Sequence, residues 1–131
     1  MSPHRPNGLQ AILAHVCRAP VMRILLAAVY VAIAAASLAP KAYRPTSGLV
    51  PGAMEHFAAY LVLGLLGAAI LRGRIAWWQL ALLNAAFAAA LEAGQLFAPG
   101  RVTAFADFGA SALGSLVGIL AVHVLWQRGR G

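Results

Sequence analysis

The sequence predicts an all-α integral membrane protein, a bundle of four transmembrane helices with both termini in the cytoplasm. Of its 131 residues, 62% are hydrophobic and 10% are charged, and the mean hydropathy is +0.79. An ordinary soluble domain is about 45–50% apolar and 25% charged. A soluble chain of this length has too little interior to bury so much apolar surface. Lipid is therefore the expected solvent, and one domain is expected.

The domain organisation begins with a short segment before the first span. Residues 1–22 are predicted to be a cytoplasmic or interfacial segment, 23–127 the transmembrane domain and 128–131 a basic tail. Within the first segment, apolar residues recur at helical spacing at Leu9, Ile12, Leu13 and Val16. Such a stripe is typical of a helix lying in the membrane interface, and a frayed tail is the alternative.

Four apolar segments define the predicted spans, at about 24–39, 53–71, 75–97 and 105–126. The first also has the length and basic flank of a signal peptide, but the further spans favour a retained helix. Residues 40–52 contain three prolines and two glycines, which excludes a continuous helix and predicts a loop.

Rows of small residues predict which helix faces pack together, because small side chains let two backbones approach closely. On the second span His56, Tyr60, Gly64 and Gly67 share one face. On the third span alanines repeat every four residues at Ala81, Ala85, Ala89 and Ala93. On the fourth span the row is Ala110, Gly114 and Gly118. A dimer through the Gly114–Gly118 face is the alternative to packing within the chain.

Basic residues predict the orientation. Seven arginines lie on the side of the two termini and of the turn between the second and third spans. On the other side lie three basic residues: Lys41, Arg44 and Arg101. The positive-inside rule therefore places both termini in the cytoplasm. The same placement of charge, without a basic patch rich in aromatics, argues against nucleic-acid binding.

The chain's three acidic residues form the main candidate site. Glu55 begins the second span, Glu92 comes near the end of the third and Asp107 near the start of the fourth, so all three lie at the same membrane surface. An unpaired charge deep in the bilayer costs at least about 2.5–3.5 kcal/mol, so a partner is expected. We predict a hydrogen-bonded cluster of Glu92, Arg101 and Asp107. Three further residues are expected at its edge: Gln95, His56 and Tyr60.

Two interpretations of this cluster stay open from the residues alone. It forms a functional pocket, or it is an ion pair that pins the outer loop. His56 is either a hydrogen-bonded helix cap or a ligand group. No metal and no cofactor are expected, because His56, Glu92 and Asp107 show no tight ligand spacing along the chain. The lone Cys17 is interpreted as inert.

Two motifs resemble those of VanZ-like membrane proteins, a family named for an accessory factor in teicoplanin resistance. The first reads His56-Phe57-Ala58-Ala59-Tyr60. The second reads Glu92-Ala93-Gly94-Gln95-Leu96-Phe97-Ala98-Pro99-Gly100-Arg101, followed by Asp107 and by Ala110-Ser111-Ala112-Leu113-Gly114. The resemblance covers about residues 24–126. This chain has Gly52-Ala53 where family members often carry Asp-Lys, and Ser111 where Asn is usual.

The resemblance implies a multi-pass protein of the bacterial cytoplasmic (inner) membrane that acts on the cell envelope. We expect an outward polar pocket that binds a lipid head group or an envelope-directed glycopeptide, as in teicoplanin tolerance. Arg101 would take a phosphate or carboxylate, and Glu92, Gln95 and Asp107 would take hydroxyl or amine groups. A membrane enzyme doing acid–base transfer or hydrolysis on a lipid-linked sugar or phosphate is the alternative. A small coupled transporter is less favoured, because no acid lies near the middle of the bilayer.

Overall fold

The computed structural model describes residues 8–43, 48–100 and 103–128. They form five α-helices: α1 (Gly8–Arg18), α2 (Pro20–Leu38), α3 (Gly52–Ile70), α4 (Trp77–Gln95) and α5 (Phe105–Arg128). A short 3-10 helix, Lys41–Tyr43, follows α2. None of these described residues belongs to a β-strand, so the all-α prediction is confirmed.

Prolines and glycines set several helix boundaries. Pro20 is the first residue of α2, where a missing N–H costs nothing, and Pro51 directly precedes α3. Gly73 has a φ of 76° in the tight turn between α3 and α4, a conformation that favours glycine. Arg74 strengthens the same turn by donating a hydrogen bond of 3.3 Å to the Ile70 carbonyl.

Consecutive long helices run in alternating directions. Tyr30 of α2 bonds Asn84 of α4, and a Cβ on Gly94 would meet Leu38, so α2 and α4 are parallel. The Gly67 backbone faces the Leu80 side chain, so α3 and α4 are antiparallel. The starts of α3 and α5 and the end of α4 therefore lie at one end of the bundle. The turn between α3 and α4 and the end of α5 lie at the other.

The closest pair is α3 and α5, which pack in parallel through their glycine rows. A Cβ on Gly114 would overlap the Phe57 carbonyl, and one on Gly64 would overlap the Ser115 carbonyl. A Cβ on Gly118 would lie 2.8 Å from the Leu65 nitrogen. Close helix contacts at Gly64, Gly114 and Gly118 agree with the small-residue rows, whereas Gly67 of the same row as Gly64 faces α4 instead.

The number of candidate spans differs from the prediction. Within the described residues, three helices are long and apolar enough to cross a membrane: α2, α3 and α5. The prediction of four transmembrane helices is corrected on this point, because α4 has the same length as α2 and α3 but a more polar composition. Its polar residues are Gln79, Asn84, Glu92 and Gln95. It packs against all three candidate spans.

The buried face of α4 also differs from the predicted alanine stripe. The residues it buries are Leu80, Asn84, Ala88, Leu91 and Gln95, whereas Ala89 and Ala93 are exposed. Asn84 favours this face, because a polar side chain in an apolar surrounding requires a protein partner and Asn84 finds two. The alanine repeat was therefore the wrong signal for this helix.

Large hydrophobic side chains cover the outer surface of the bundle. Ile24 is 69% exposed, Leu82 64% and Phe105 97%. The apolar stripe of α1 is exposed in the same way, with Leu9 at 69% and Ile12 at 62%. A protein in water rarely exposes so large a continuous apolar area, so this surface fits a lipid environment.

Candidate functional site

His56 and Asp107 are brought together by the α3–α5 interface. Asp107 lies in the first turn of α5 and His56 in the second turn of α3, and the contact of Gly114 with the Phe57 backbone holds the two helix starts side by side. The His56 Nε2 atom is 3.7 Å from the Asp107 Oδ2 atom. The two side chains are largely buried, with 10% and 20% of their surface exposed.

Glu92 joins them from the last turns of α4. One carboxylate oxygen accepts a hydrogen bond of 3.3 Å from the Ala104 N–H, directly before α5 begins. A ligand atom of His56, of Glu92 and of Asp107 all lie within 4.8 Å of one another. These three residues are called the His–Glu–Asp cluster below. Residues far apart in sequence thus converge at one end of the bundle.

Ser111 supports the cluster from beneath. Its hydroxyl donates a hydrogen bond of 2.9 Å to the Asp107 carbonyl, one turn earlier in α5. The same oxygen lies 3.4 Å from the Nδ1 atom of His56. Since the serine proton is used on the nearer carbonyl, the oxygen is left to accept from an Nδ1–H. Ser111 was not predicted as a site residue, although its spacing of four from Asp107 was a usable signal.

The other predicted site residues take different positions. Gln95 is 2% exposed, and its Nε2 atom has no hydrogen-bond partner among the described residues. Tyr60 belongs to the hydrophobic core, its ring centre 6.3 Å from that of Phe87, and it also interacts electrostatically with Glu92 of the cluster. Glu55 is partly buried in the first turn of α3 and has a partner of its own. Arg101 lies outside the described residues.

A groove opens beside the cluster between α4 and the start of α5. Its volume is about 330 Å³. The residues lining it are Ala89, Glu92, Ala93, Leu96, Thr103, Ala104, Phe105 and Phe108. All but Glu92 and Thr103 are apolar, so the Glu92 carboxylate joins an apolar groove to a polar cluster. An amphiphilic ligand would match this arrangement.

A second polar network lies within the bundle and was not predicted. The Tyr30 hydroxyl donates to the Asn84 side-chain oxygen. The Asn84 amide in turn donates to the Ser115 hydroxyl at 2.8 Å. Asn84 is 0% and Ser115 1% exposed. The network joins α2, α4 and α5 by side-chain hydrogen bonds, so its first effect is on packing. The sequence feature that indicates this network is an asparagine, Asn84, inside an apolar helix.

The opposite end of the bundle is basic and aromatic. A cavity of about 300 Å³ lies there, between the α3–α4 turn and the last turns of α5. The Arg72 guanidinium stacks 3.6 Å from the centre of a Trp126 ring, and Trp77 lies 6.3 Å from His123. Tryptophan and arginine in this combination are typical of the membrane interface.

Comparison with known proteins agrees with the motifs. The family model described as VanZ/LLP1 matches residues 13–126, which include every described residue of the cluster and the groove. Neither curated proteins nor solved structures gave a significant match.

Proposed function

This chain belongs to the VanZ/LLP1 family, and we propose that its His–Glu–Asp cluster binds the head group of a cell-envelope lipid. The observation that carries the proposal is the position of Glu92. Its carboxylate belongs to the polar cluster and also lines the apolar groove between α4 and α5. A lipid has the same two parts, so its head group and an acyl chain would be bound side by side.

The chemistry of the cluster limits which lipid head groups it could bind. The carboxylates of Glu92 and Asp107 accept hydrogen bonds from hydroxyl or amine groups, and Arg101 is proposed to contact a phosphate. A sugar- or amine-bearing phospholipid head group combines these features. An envelope-directed glycopeptide shares the hydroxyl and amine groups, but it would not use the apolar groove as a lipid does.

We also propose that the cluster faces away from the cytoplasm in the bacterial inner membrane. Five arginines in the described residues support this orientation, because they lie at or before the start of α2, in the α3–α4 turn and at the end of α5: Arg18, Arg23, Arg72, Arg74 and Arg128. In a Cys17→Ser background, Thr103→Cys should react with a membrane-impermeant thiol reagent in intact cells. Gln127→Cys should react only after permeabilisation, and the reverse pattern would reject the orientation.

Lipid binding can be tested by thermal unfolding in detergent. The proteins are the wild type, Glu92→Gln, Asp107→Asn and, at the opposite end, His123→Ala. The probes are a polyprenyl diphosphate-linked sugar, phosphatidylethanolamine and phosphatidylcholine. A ligand at 100 times its Kd stabilises a protein by about 2.7 kcal/mol. We expect one of the first two lipids to raise the melting temperature of the wild type and His123→Ala, but not that of the two cluster variants.

The design separates binding from a purely structural role. The Glu92→Gln amide oxygen can still accept from the Ala104 N–H, so this variant should keep the fold. If the cluster variants unfold without lipid and no lipid stabilises the wild type, the cluster only pins the loop before α5. Equal stabilisation of all four proteins would also reject the proposal.

An enzyme is the second candidate, because two carboxylates and an imidazole lie within 4.8 Å of one another. Groups so placed could exchange a proton with a lipid-linked sugar or phosphate. Incubation of the purified protein with the polyprenyl diphosphate-linked sugar distinguishes the two. Product formation that Asp107→Asn abolishes would favour the enzyme, and binding without turnover favours the lipid-binding protein.

The resemblance to VanZ extends the proposal to tolerance of teicoplanin-type antibiotics. Expression of the wild type and of His123→Ala in a sensitive host should then raise the inhibitory concentration of teicoplanin. Asp107→Asn at the same expression level should not. An effect that survives this substitution would separate tolerance from the cluster.

A further inference from the structure

We propose that the His–Glu–Asp cluster binds a first-row divalent metal ion, with Zn²⁺ as its best match. Each residue offers one ligand atom, and the three atoms lie within 4.8 Å of one another. Ligands about 2.0–2.2 Å from a zinc ion lie about 3.4 Å apart in a tetrahedron. The distance of 3.7 Å between His56 Nε2 and Asp107 Oδ2 is close to that value, whereas the set with Glu92 extends to 4.8 Å, so the Glu92 carboxylate would have to move towards the ion. The distance of 3.7 Å is too long for a hydrogen bond.

The hydrogen bonds of Ser111 favour the imidazole form that binds metals. The serine proton goes to the Asp107 carbonyl at 2.9 Å, so a His56 tautomer with its proton on Nδ1 could donate to the serine oxygen, 3.4 Å away. A neutral imidazole with a proton on Nδ1 has a lone pair on Nε2, the atom nearer Asp107. Metal-binding histidines are commonly oriented in this way by a second residue.

Charge gives a reason for a cation at this place. The carboxylates of Glu92 and Asp107 lie close together in partly buried positions, where repulsion between them is less screened than in bulk water. A divalent ion between them would compensate both charges. The imidazole ligand favours Zn²⁺ over Mg²⁺ and Ca²⁺, which prefer oxygen ligands alone.

Three protein ligands leave a zinc ion at least one open position. Glu92 places the ion next to the apolar groove, so a phosphate oxygen of a lipid seated there could complete the coordination. This last step depends on the proposed function, whereas the metal site depends only on the geometry of the cluster. The ion would offset the charges of the two carboxylates and so favour a phosphate oxygen beside them.

The site can be tested by metal binding to the full chain in phosphatidylcholine nanodiscs, purified with an affinity tag that contains no histidine. After chelation and buffer exchange, Zn²⁺ binding is measured by calorimetry. Co²⁺ is added to a separate metal-free sample as a spectroscopic probe. The variants are His56→Ala, Asp107→Asn and Ser111→Ala, with His15→Gln on α1 as the matched control for surface histidines. Circular dichroism checks that each variant keeps its helices.

We expect the wild type and His15→Gln to bind one Zn²⁺ per chain and to give a visible Co²⁺ absorption band. His56→Ala and Asp107→Asn should lose both. Ser111→Ala keeps all three ligands but loses their support, so its Zn²⁺ affinity should fall by about 10- to 100-fold. A wild type that binds no more Zn²⁺ than His56→Ala overturns the proposal, as does binding that His15→Gln removes.

One further variant tests the competing cation, and one further measurement separates the two proposals. If Arg101→Gln binds Zn²⁺ and the wild type does not, an arginine occupies the place assigned to the metal and the proposal is wrong.

The lipid titration is then repeated with Zn²⁺ and with chelator. Zn²⁺ binding without any lipid effect keeps the metal site and rejects the proposed function. If the wild type binds no Zn²⁺ and chelator does not change its lipid binding, the proposed function is kept and the metal site is rejected.

Discussion

At the scale of single residues, Asn84 connects three helices through the interior of the bundle. It accepts from Tyr30 of α2 and donates to Ser115 of α5. Hydrogen bonds between membrane helices contribute on average about 0.6 kcal/mol each, because the separated helices find other partners. Two such bonds make Asn84 a moderate contributor to stability and a strong determinant of which face α4 buries.

Asn84→Leu should therefore lower the free energy of unfolding by about 1–2 kcal/mol. The substitution keeps most of the side-chain volume but leaves the Tyr30 and Ser115 hydroxyls without this partner. Unfolding in mixed micelles gives the value. Leu82→Ala, on the exposed face of the same helix, serves as the control and should change stability by less than about 0.5 kcal/mol. If both variants lose the same free energy of unfolding, the Asn84 hydrogen bonds do not contribute specifically to stability.

The sequence was informative about the charged residues because lipid makes each of them costly. That argument identified Glu92 and Asp107 correctly as neighbours at one end of the bundle. It did not identify the support from Ser111, since a serine hydroxyl in a helix is usually satisfied by a carbonyl of its own helix. Tyr60 was predicted at the edge of the cluster; its ring packs in the core against Phe87, and the residue also interacts electrostatically with Glu92.

At the scale of helices, the parallel pair α3 and α5 positions His56 beside Asp107. The pair is close because Gly114 and Gly64 present no side chain to the opposing backbone. Overlap of a Cβ with a carbonyl oxygen cannot be relieved by a rotamer change. The helices must move apart, which would also separate the two site residues.

Gly114→Ala should destabilise the protein by about 1–3 kcal/mol, the usual effect of overpacking. Gly109→Ala on the same helix is a matched control, because a Cβ there would meet nothing within 4 Å. Alanine is also the better helix former, so the control should be as stable as the wild type or more stable. The measurement compares the melting temperatures of the two variants in the same detergent, and that of Gly114→Ala should be lower. A Gly114→Ala protein as stable as Gly109→Ala would contradict the described interface.

The helices themselves were predictable from apolar segments and their boundaries. The four predicted spans at about 24–39, 53–71, 75–97 and 105–126 each contain most of one long helix. The buried face of α4 was not predictable from its alanines, since alanine tolerates lipid as well as protein. Its polar residues were the better guide, and they are also the reason why α4 is not among the three candidate spans.

At the scale of the whole molecule, the two ends of the bundle differ in chemistry. One end has the His–Glu–Asp cluster and the adjoining apolar groove. The other has arginines, tryptophans and a cavity beside the stacked pair Arg72 and Trp126. This division follows from the alternating directions of the helices, which bring the start of α3, the end of α4 and the start of α5 to one end. Every functional proposal above depends on that convergence.

Chemical cross-linking tests the convergence most directly. In a Cys17→Ser background, Glu92→Cys and Asp107→Cys are introduced together and treated with the shortest available bifunctional thiol reagent in membranes. Trypsin then cleaves after Arg101, between the two positions, and mass spectrometry shows whether the peptides stay joined. The control pair is Ala90→Cys with Asp107→Cys, because Ala90 is exposed on a different face of α4. The structure predicts joined peptides for the first pair and separate peptides for the control. Separate peptides for both pairs would contradict the cluster and every proposal that depends on it.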